Sequence, residues 1–225
     1  MEEETINKLN EFYTGNDELD LSELDLEGIV NLSKFKSLSK LNCSYNSIKK
    51  ILGLKKKLIS IDCSNNQLTR LYKIPLNLSI LNCSKNIIKN LDNISWNLTQ
   101  LDCSSNEIKK LDNLPNGLII LNCDWNKIKL LDNLPNTLVN LSCSWNQIKY
   151  LDNLPNSLVN LSCDNNLIVS LDNLPNSIVN LSCNNNLILS LDNLPNTIKF
   201  LIYDVDNCII SNHNLVKYNH ENNIF

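Results

Sequence analysis

Alanine is absent from this chain, arginine occurs once, and histidine twice. Glycine (4) and proline (6) are scarce among its 225 residues. So little glycine and proline excludes a collagen-like or flexible low-complexity chain. No apolar run approaches the ~18–20 residues of a membrane-spanning helix. The opening Met1-Glu2-Glu3-Glu4 lacks the basic-then-apolar order of a signal peptide, so export by that route is not expected. A net charge of −4 leaves no broad cationic field for nucleic acid. There is no glycine-rich phosphate loop, and neither histidine, His213 or His220, lies inside the repeats; both are read as solvated tail residues rather than catalytic ones. These absences argue against an enzyme, and no cofactor is implied.

What is abundant is leucine and asparagine, 42 of each, with 19 lysines. Asn, Ile, Lys and Leu are residues of AT-rich codons, which suggests an AT-rich genome. Nine cysteines are present, and eight stand at 43, 63, 83, 103, 123, 143, 163 and 183, a constant step of 20. Self-similarity at a fixed period is the signature of a repeat architecture. Around the cysteines the frame reads Leu38-x-x-Leu41-x-Cys43-x-x-Asn46-x-Ile48-x-x-Ile51, and it persists to Ile178, Leu181, Cys183, Asn186, Ile188 and Leu191. A ninth unit, from Ile198 and Leu201, has Tyr203 and Asp206 in the cysteine and asparagine places. Upstream, Leu21-x-x-Leu24-x-Leu26 reads as a degenerate opening unit.

This frame resembles the leucine-rich repeat. Its second half, Leu111-Asp112-Asn113-Leu114-Pro115-Asn116 with copies at 131, 151, 171 and 191, is similar to the short "LP" repeat of bacterial effectors. The copy at Leu71 keeps the proline, whereas Leu91 to Trp96 lacks it. The resemblance covers about residues 21–206 and implies a right-handed α/β-class superhelix with a parallel sheet on its concave face. It further implies a non-enzymatic scaffold that binds a protein partner; only 19 residues follow Asp206, too few for an effector's catalytic domain. Similar proteins occur in AT-rich giant DNA viruses and bacterial pathogens, so the expected setting is cytoplasmic, with a host partner and a monomeric chain. The alternative is a structural or self-assembling repeat protein.

The residues support the same architecture. Alternation at Leu41 and Cys43 marks a short strand with one buried face, and the residue between them is polar in all eight copies. Twenty residues leave almost no room for a return helix, so the convex side is expected to be extended. Each coil buries too little to fold alone, and stacking completes it. The asparagines 46, 66, 86, 106, 126, 146, 166 and 186 are expected to satisfy turn backbone as a buried ladder in which neighbouring amides also meet; a polar binding row is the alternative. The cysteines suit stacked free thiols, with neighbouring disulfides or a metal as rivals; Cys208 stands off the row.

Two charged rows follow, Lys49, Lys89, Lys109, Lys129, Lys149 and Asp92, Asp112, Asp132, Asp152, Asp172, Asp192. They read as a solvated edge whose opposite signs soften repulsion, or as a calcium or basic-partner site where lysine gives way to Val169 and Leu189. On the outward sheet face, mostly Asn, Ser and Asp, the exceptions are Tyr45, Ile80, Ile120, Trp125 and Trp145. Trp125 and Trp145 occupy the same place in successive coils, so their rings should lie side by side, either as part of a partner site or as an edge packed on itself. Residues 1–20 are expected to form an N-terminal helical cap, through Thr5 to Tyr13 with Gly15 as its stop. Residues 207–225 are expected to form a C-terminal cap and tail.

Overall fold

The computed structural model describes residues 17–92 and 94–204. Ten three-residue strands lie side by side in one parallel sheet, and nearly every strand sits one 20-residue step from the next. In chain order the twelve strands are β1 (Glu18–Asp20), β2 (Glu27–Asn31), β3 (Lys40–Asn42), β4 (Ser47–Leu52), β5 (Ser60–Asp62), β6 (Ile80–Asn82), β7 (Gln100–Asp102), β8 (Ile120–Asn122), β9 (Asn140–Ser142), β10 (Asn160–Ser162), β11 (Asn180–Ser182) and β12 (Phe200–Ile202). All but β2 and β4 belong to the large sheet, ordered β1-β3-β5 and onward to β12. Equivalent residues face each other without slippage: Leu41 opposes Ile61, and Leu161 opposes both Leu141 and Leu181. The chain is a leucine-rich-repeat-like β-solenoid.

The interior follows from the sequence period. Leu41, Cys43, Ile48, Ile51 and Leu58, with their copies, point inward and are buried. Together they form one continuous core from Leu19 to Tyr203. Among the described residues, the convex segments carry no strand or helix after β4. Pro75, Pro115, Pro135, Pro155, Pro175 and Pro195 each accept a bond from the N–H three residues on, which closes a tight turn. Proline opens the turn as its first residue, where a missing N–H leaves no backbone donor to satisfy. Where proline is missing, Ser95 fills the place, fully buried, and its hydroxyl donates to Leu76 O of the coil before.

Two expectations need correction. The fold is not α/β with a helical N-terminal cap, because no helix occurs among the described residues. Residues 18–20, assigned to the cap, are strand β1, paired in parallel with β3. The reason is a period of two: Leu19 and Leu21 are both buried, and Leu19 opposes Leu41. The stretch from Thr5 to Gly15 lies outside the described residues, as do Cys208, both histidines and the tail 207–225. The opening unit is also registered differently. Leu19 and Leu21 take the places of Leu41 and Cys43, which leaves Leu24 in the asparagine place.

This first coil is 22 residues long, and its surplus is absorbed on the convex side. There β2 pairs in parallel with β4, with a bulge between Gly28 and Ile29. The return from β4 passes Gly53 at φ 75°, where a Cβ would stand 2.4 Å from Ser33 N. Only glycine fits that approach.

Candidate functional site

The candidate face is built on a frame that repeats in every coil. Asn126 Nδ2 donates to Cys103 O (3.0 Å), Cys123 O (3.1 Å) and Asp124 O (3.1 Å), and its Oδ1 accepts from Ile108 N at 2.9 Å. One amide thereby satisfies four backbone groups and joins two coils. Asn66, Asn86, Asn106, Asn146, Asn166 and Asn186 repeat the pattern. Asn46 does so against Leu21, Leu24 and Leu26. The amides meet the backbone of the neighbouring coil rather than one another, a difference from the sequence expectation. Ladder spacing explains it, because backbone carbonyls lie between successive side chains.

The eight cysteines of the row are free and buried. Cys123 Sγ donates to Ser142 O at 3.3 Å, and Cys63, Cys103, Cys143, Cys163 and Cys183 make the same contact one coil on. Burial raises these thiols, Cys63 to about 12, so they stay protonated and unreactive at neutral pH.

Beyond each cysteine the chain turns through a residue in the left-handed region. Tyr45, Asn65, Lys85, Ser105, Trp125, Trp145, Asn165 and Asn185 all have φ between 52° and 57°. Asparagine tolerates that conformation; a bulky residue adopts it at a cost of ~1–2 kcal/mol. Trp125 and Trp145 therefore sit on the lip where the strands end, not on the strand face itself. Their rings stack with centroids 4.1 Å apart and planes 8° from parallel. Both remain exposed, at 53% and 46%. Stacking returns about 0.5–1.5 kcal/mol of the strain.

The other candidates are scattered. Ile80 and Ile120 stand on the sheet face, exposed, with Gln100 between them in register. Tyr45 lies on the same lip four coils from Trp125. Only Ile120, Trp125 and Trp145 share a neighbourhood. Near the two charged rows, individual polar contacts are local. Lys127 pairs with Glu107 at 3.3 Å, and Asp172 accepts from Asn193 Nδ2 at 2.7 Å. No group of three or more His, Cys, Asp or Glu is placed to hold a metal among the described residues.

A feature missed by sequence reasoning lies on the concave side. In the first coils the residue between strand leucine and cysteine is Asp20, Asn42, Asp62, Asn82, Asp102 or Asn122. Its side-chain oxygen caps the turn of its own coil, as Asp62 does by accepting Ser64 N (2.9 Å) and Oγ (2.7 Å). In β9, β10 and β11 that residue is Ser142, Ser162 or Ser182, too short for the task. The cap passes to the preceding coil: Asp124 and Asp164 reach forward to the turns at Ser144 and Asn184, and Ser144 Oγ accepts from Asp164 N between them (3.1 Å). Asp124 accepts Ser142 Oγ (2.8 Å) and Ser144 N (2.6 Å), and Asp164 accepts Ser182 Oγ (2.8 Å) and Asn184 N (2.7 Å). Burial raises the pKa of both carboxyls, against the lowering effect of these donors. Asp20, nearly exposed, is lowered by the hydroxyl and N–H of Ser22.

Shortening the column from Asn to Ser opens a groove of about 630 Å³ over β8 to β12. Ile120 bounds one end, Phe200 and Ile202 the other. Between them Asn140, Asn160 and Asn180 form a file of amides, each donating to the one before. The Oδ1 of Asn180, at the end of the file, is buried without a donor. The signal for this groove was the change from Asn and Asp to Ser in one column.

No protein-family model matches the sequence, and no curated protein does. Solved structures do. YopM, a leucine-rich effector protein from Yersinia pestis, matches at TM-score 0.71 and 27% identity, over 93% of this chain and 66% of its own. YopM from Yersinia enterocolitica matches at TM-score 0.71 and 23% identity, over 96% of this chain and 65% of its own. The leucine-rich-repeat domain of a Shigella effector matches at TM-score 0.56 and 26% identity, over 83% and 77%. This chain thus spans about two thirds of the length of the two Yersinia proteins.

Proposed function

We propose that the protein is a non-enzymatic scaffold that binds a partner protein along the concave sheet and its Trp125–Trp145 lip. One observation carries the reading: two tryptophans held in strained backbone and stacked, yet left exposed. Nothing in the coil demands tryptophan there, since Asn165 and Asn185 build the same turn. Large rigid aromatics with open edges are the usual anchors of protein interfaces. Likeness to effector structures supports a partner in a host cell. Eight unoxidised thiols suit a reducing cytoplasm, the compositional bias suits a giant-virus genome, and the scaffold acts as a monomer.

The test is affinity capture from cell extract with the wild type and the Trp125→Ser/Trp145→Ser double variant. The proposal expects a partner retained by the wild type and lost by the variant, with melting unchanged. Equal capture by both removes the lip from the site. Sedimentation across a concentration series separates this reading from self-assembly, which requires discrete oligomers.

A further inference from the structure

The concave side is electrostatically one-sided. In the three columns that face it, the described residues include seven carboxylates: Glu18, Asp20, Asp62, Asp102, Asp124, Asp164 and Asp204. Lys40 is their sole cation, and Glu18 already pairs with it. The other described lysines and Arg70 stand elsewhere, many on the Lys49 row. No cation lines the groove over β8 to β12, whereas Asp124 does and Asp164 lies in the same column. Both carboxylates are held half-buried by hydroxyl and amide donors, without a positive neighbour. Such a surface repels an acidic ligand and favours a basic one.

The groove also has a length. From Ile120 to Phe200 is four coil steps, roughly 19 Å at ~4.8 Å per step, the span of about six residues of extended chain. Apolar side chains mark the two ends, and amides and hydroxyls mark the middle. An extended backbone offers N–H and C=O groups to such a middle section of amides and hydroxyls.

Resting on the protein-binding reading above, we infer that this groove seats an extended, cationic segment of the partner. Two apolar side chains about six residues apart lie over Ile120 and over Phe200 with Ile202. A lysine or arginine between them faces Asp124 and Asp164, which stand two coils apart, roughly 10 Å. The Trp125–Trp145 lip, beside Asp124, contacts a different part of the same partner.

The experiment is selection of a random twelve-residue peptide library on the immobilised full chain, followed by anisotropy titration of the enriched peptides. Enriched sequences should be net positive, with two apolar positions five to seven residues apart. Asp124→Asn/Asp164→Asn should weaken their binding at least tenfold; asparagine keeps the Oδ1 that accepts Ser144 N and Asn184 N, so the fold tolerates the change. Ser162→Asn, which restores the longer residue of the earlier coils, should obstruct the groove and weaken binding similarly. Enrichment of acidic peptides, of none, or of peptides that bind the Asp124→Asn/Asp164→Asn variant as tightly as wild type overturns the inference. Trp125→Ser/Trp145→Ser should leave peptide affinity within threefold. Loss of the extract partner in that tryptophan variant, alongside failed peptide selection, would sink the groove assignment and leave the scaffold reading standing.

Discussion

The coils before β8 and those after it share an interior and differ on the concave surface. Inside, Asn66 and Asn166 make the same set of bonds, and Cys63 and Cys163 make the same thiol contact. Outside, the earlier coils cap their own turns with Asn or Asp, and the later ones hand that role to Asp124, Ser144 and Asp164 of the preceding coil. The earlier surface is filled by these longer side chains; the later one is hollowed by serine. Backbone satisfaction is obligatory in every buried turn, so the interior cannot vary. Capping has two geometrical solutions, so the surface can, and the second leaves room for a ligand.

The largest effect should come from breaking what the two halves share. Asn126→Ala leaves Ile108 N without an acceptor and takes one of two donors from Cys103 O, Cys123 O and Asp124 O, at a cost of about 1–3 kcal/mol. Asn66→Ala should cost a similar amount, measured by denaturant unfolding. A large inequality between the two would show that the frame is not uniform. A loss near zero in either would displace the asparagine from its structural role.

A smaller effect should separate the halves by pH. Asp124 has a folded pKa above its unfolded value, so its native charge is disfavoured. Its contribution to stability falls as pH rises from the usual carboxylate range through the raised value. Asp124→Asn should therefore raise the melting temperature at neutral pH, and the gain should vanish at acid pH below the unfolded carboxylate value. Asp20 has the opposite sign: its lowered pKa gives stability that is present at neutral pH and lost as pH falls through the folded value. Asp20→Asn should lower the neutral-pH melting point slightly and leave the acid one unchanged. Equal responses from the two variants would erase the distinction between the capping modes.

Much of the frame was legible because it recurs. Leu41, Cys43, Asn46 and Ile48 occupy places where any coil needs a buried group or a backbone partner, so the need rewrites the same residue every 20 positions. Less legible were features that depend on backbone conformation or on the absence of a side chain. Left-handed turns at Tyr45, Lys85 and Trp125 are disguised by residues that rarely adopt them. The extra convex pair β2–β4 arises in the one 22-residue coil, where the period offers no guide. Leu19 was hidden for the same reason, and its strand was read as the end of a helical cap. The stacked Trp125 and Trp145 were readable from equal position alone. The groove was not, since Ser142, Ser162 and Ser182 carry no chemical signature of a site.

Stacked coils bury every thiol of the row in the same way, so labelling with a thiol reagent tests the architecture most directly. In native buffer Cys43 through Cys183 should remain unmodified, and all eight should react together once denaturant unfolds the chain. Rapid modification of those eight thiols in the native protein would contradict a closed, coil-upon-coil interior.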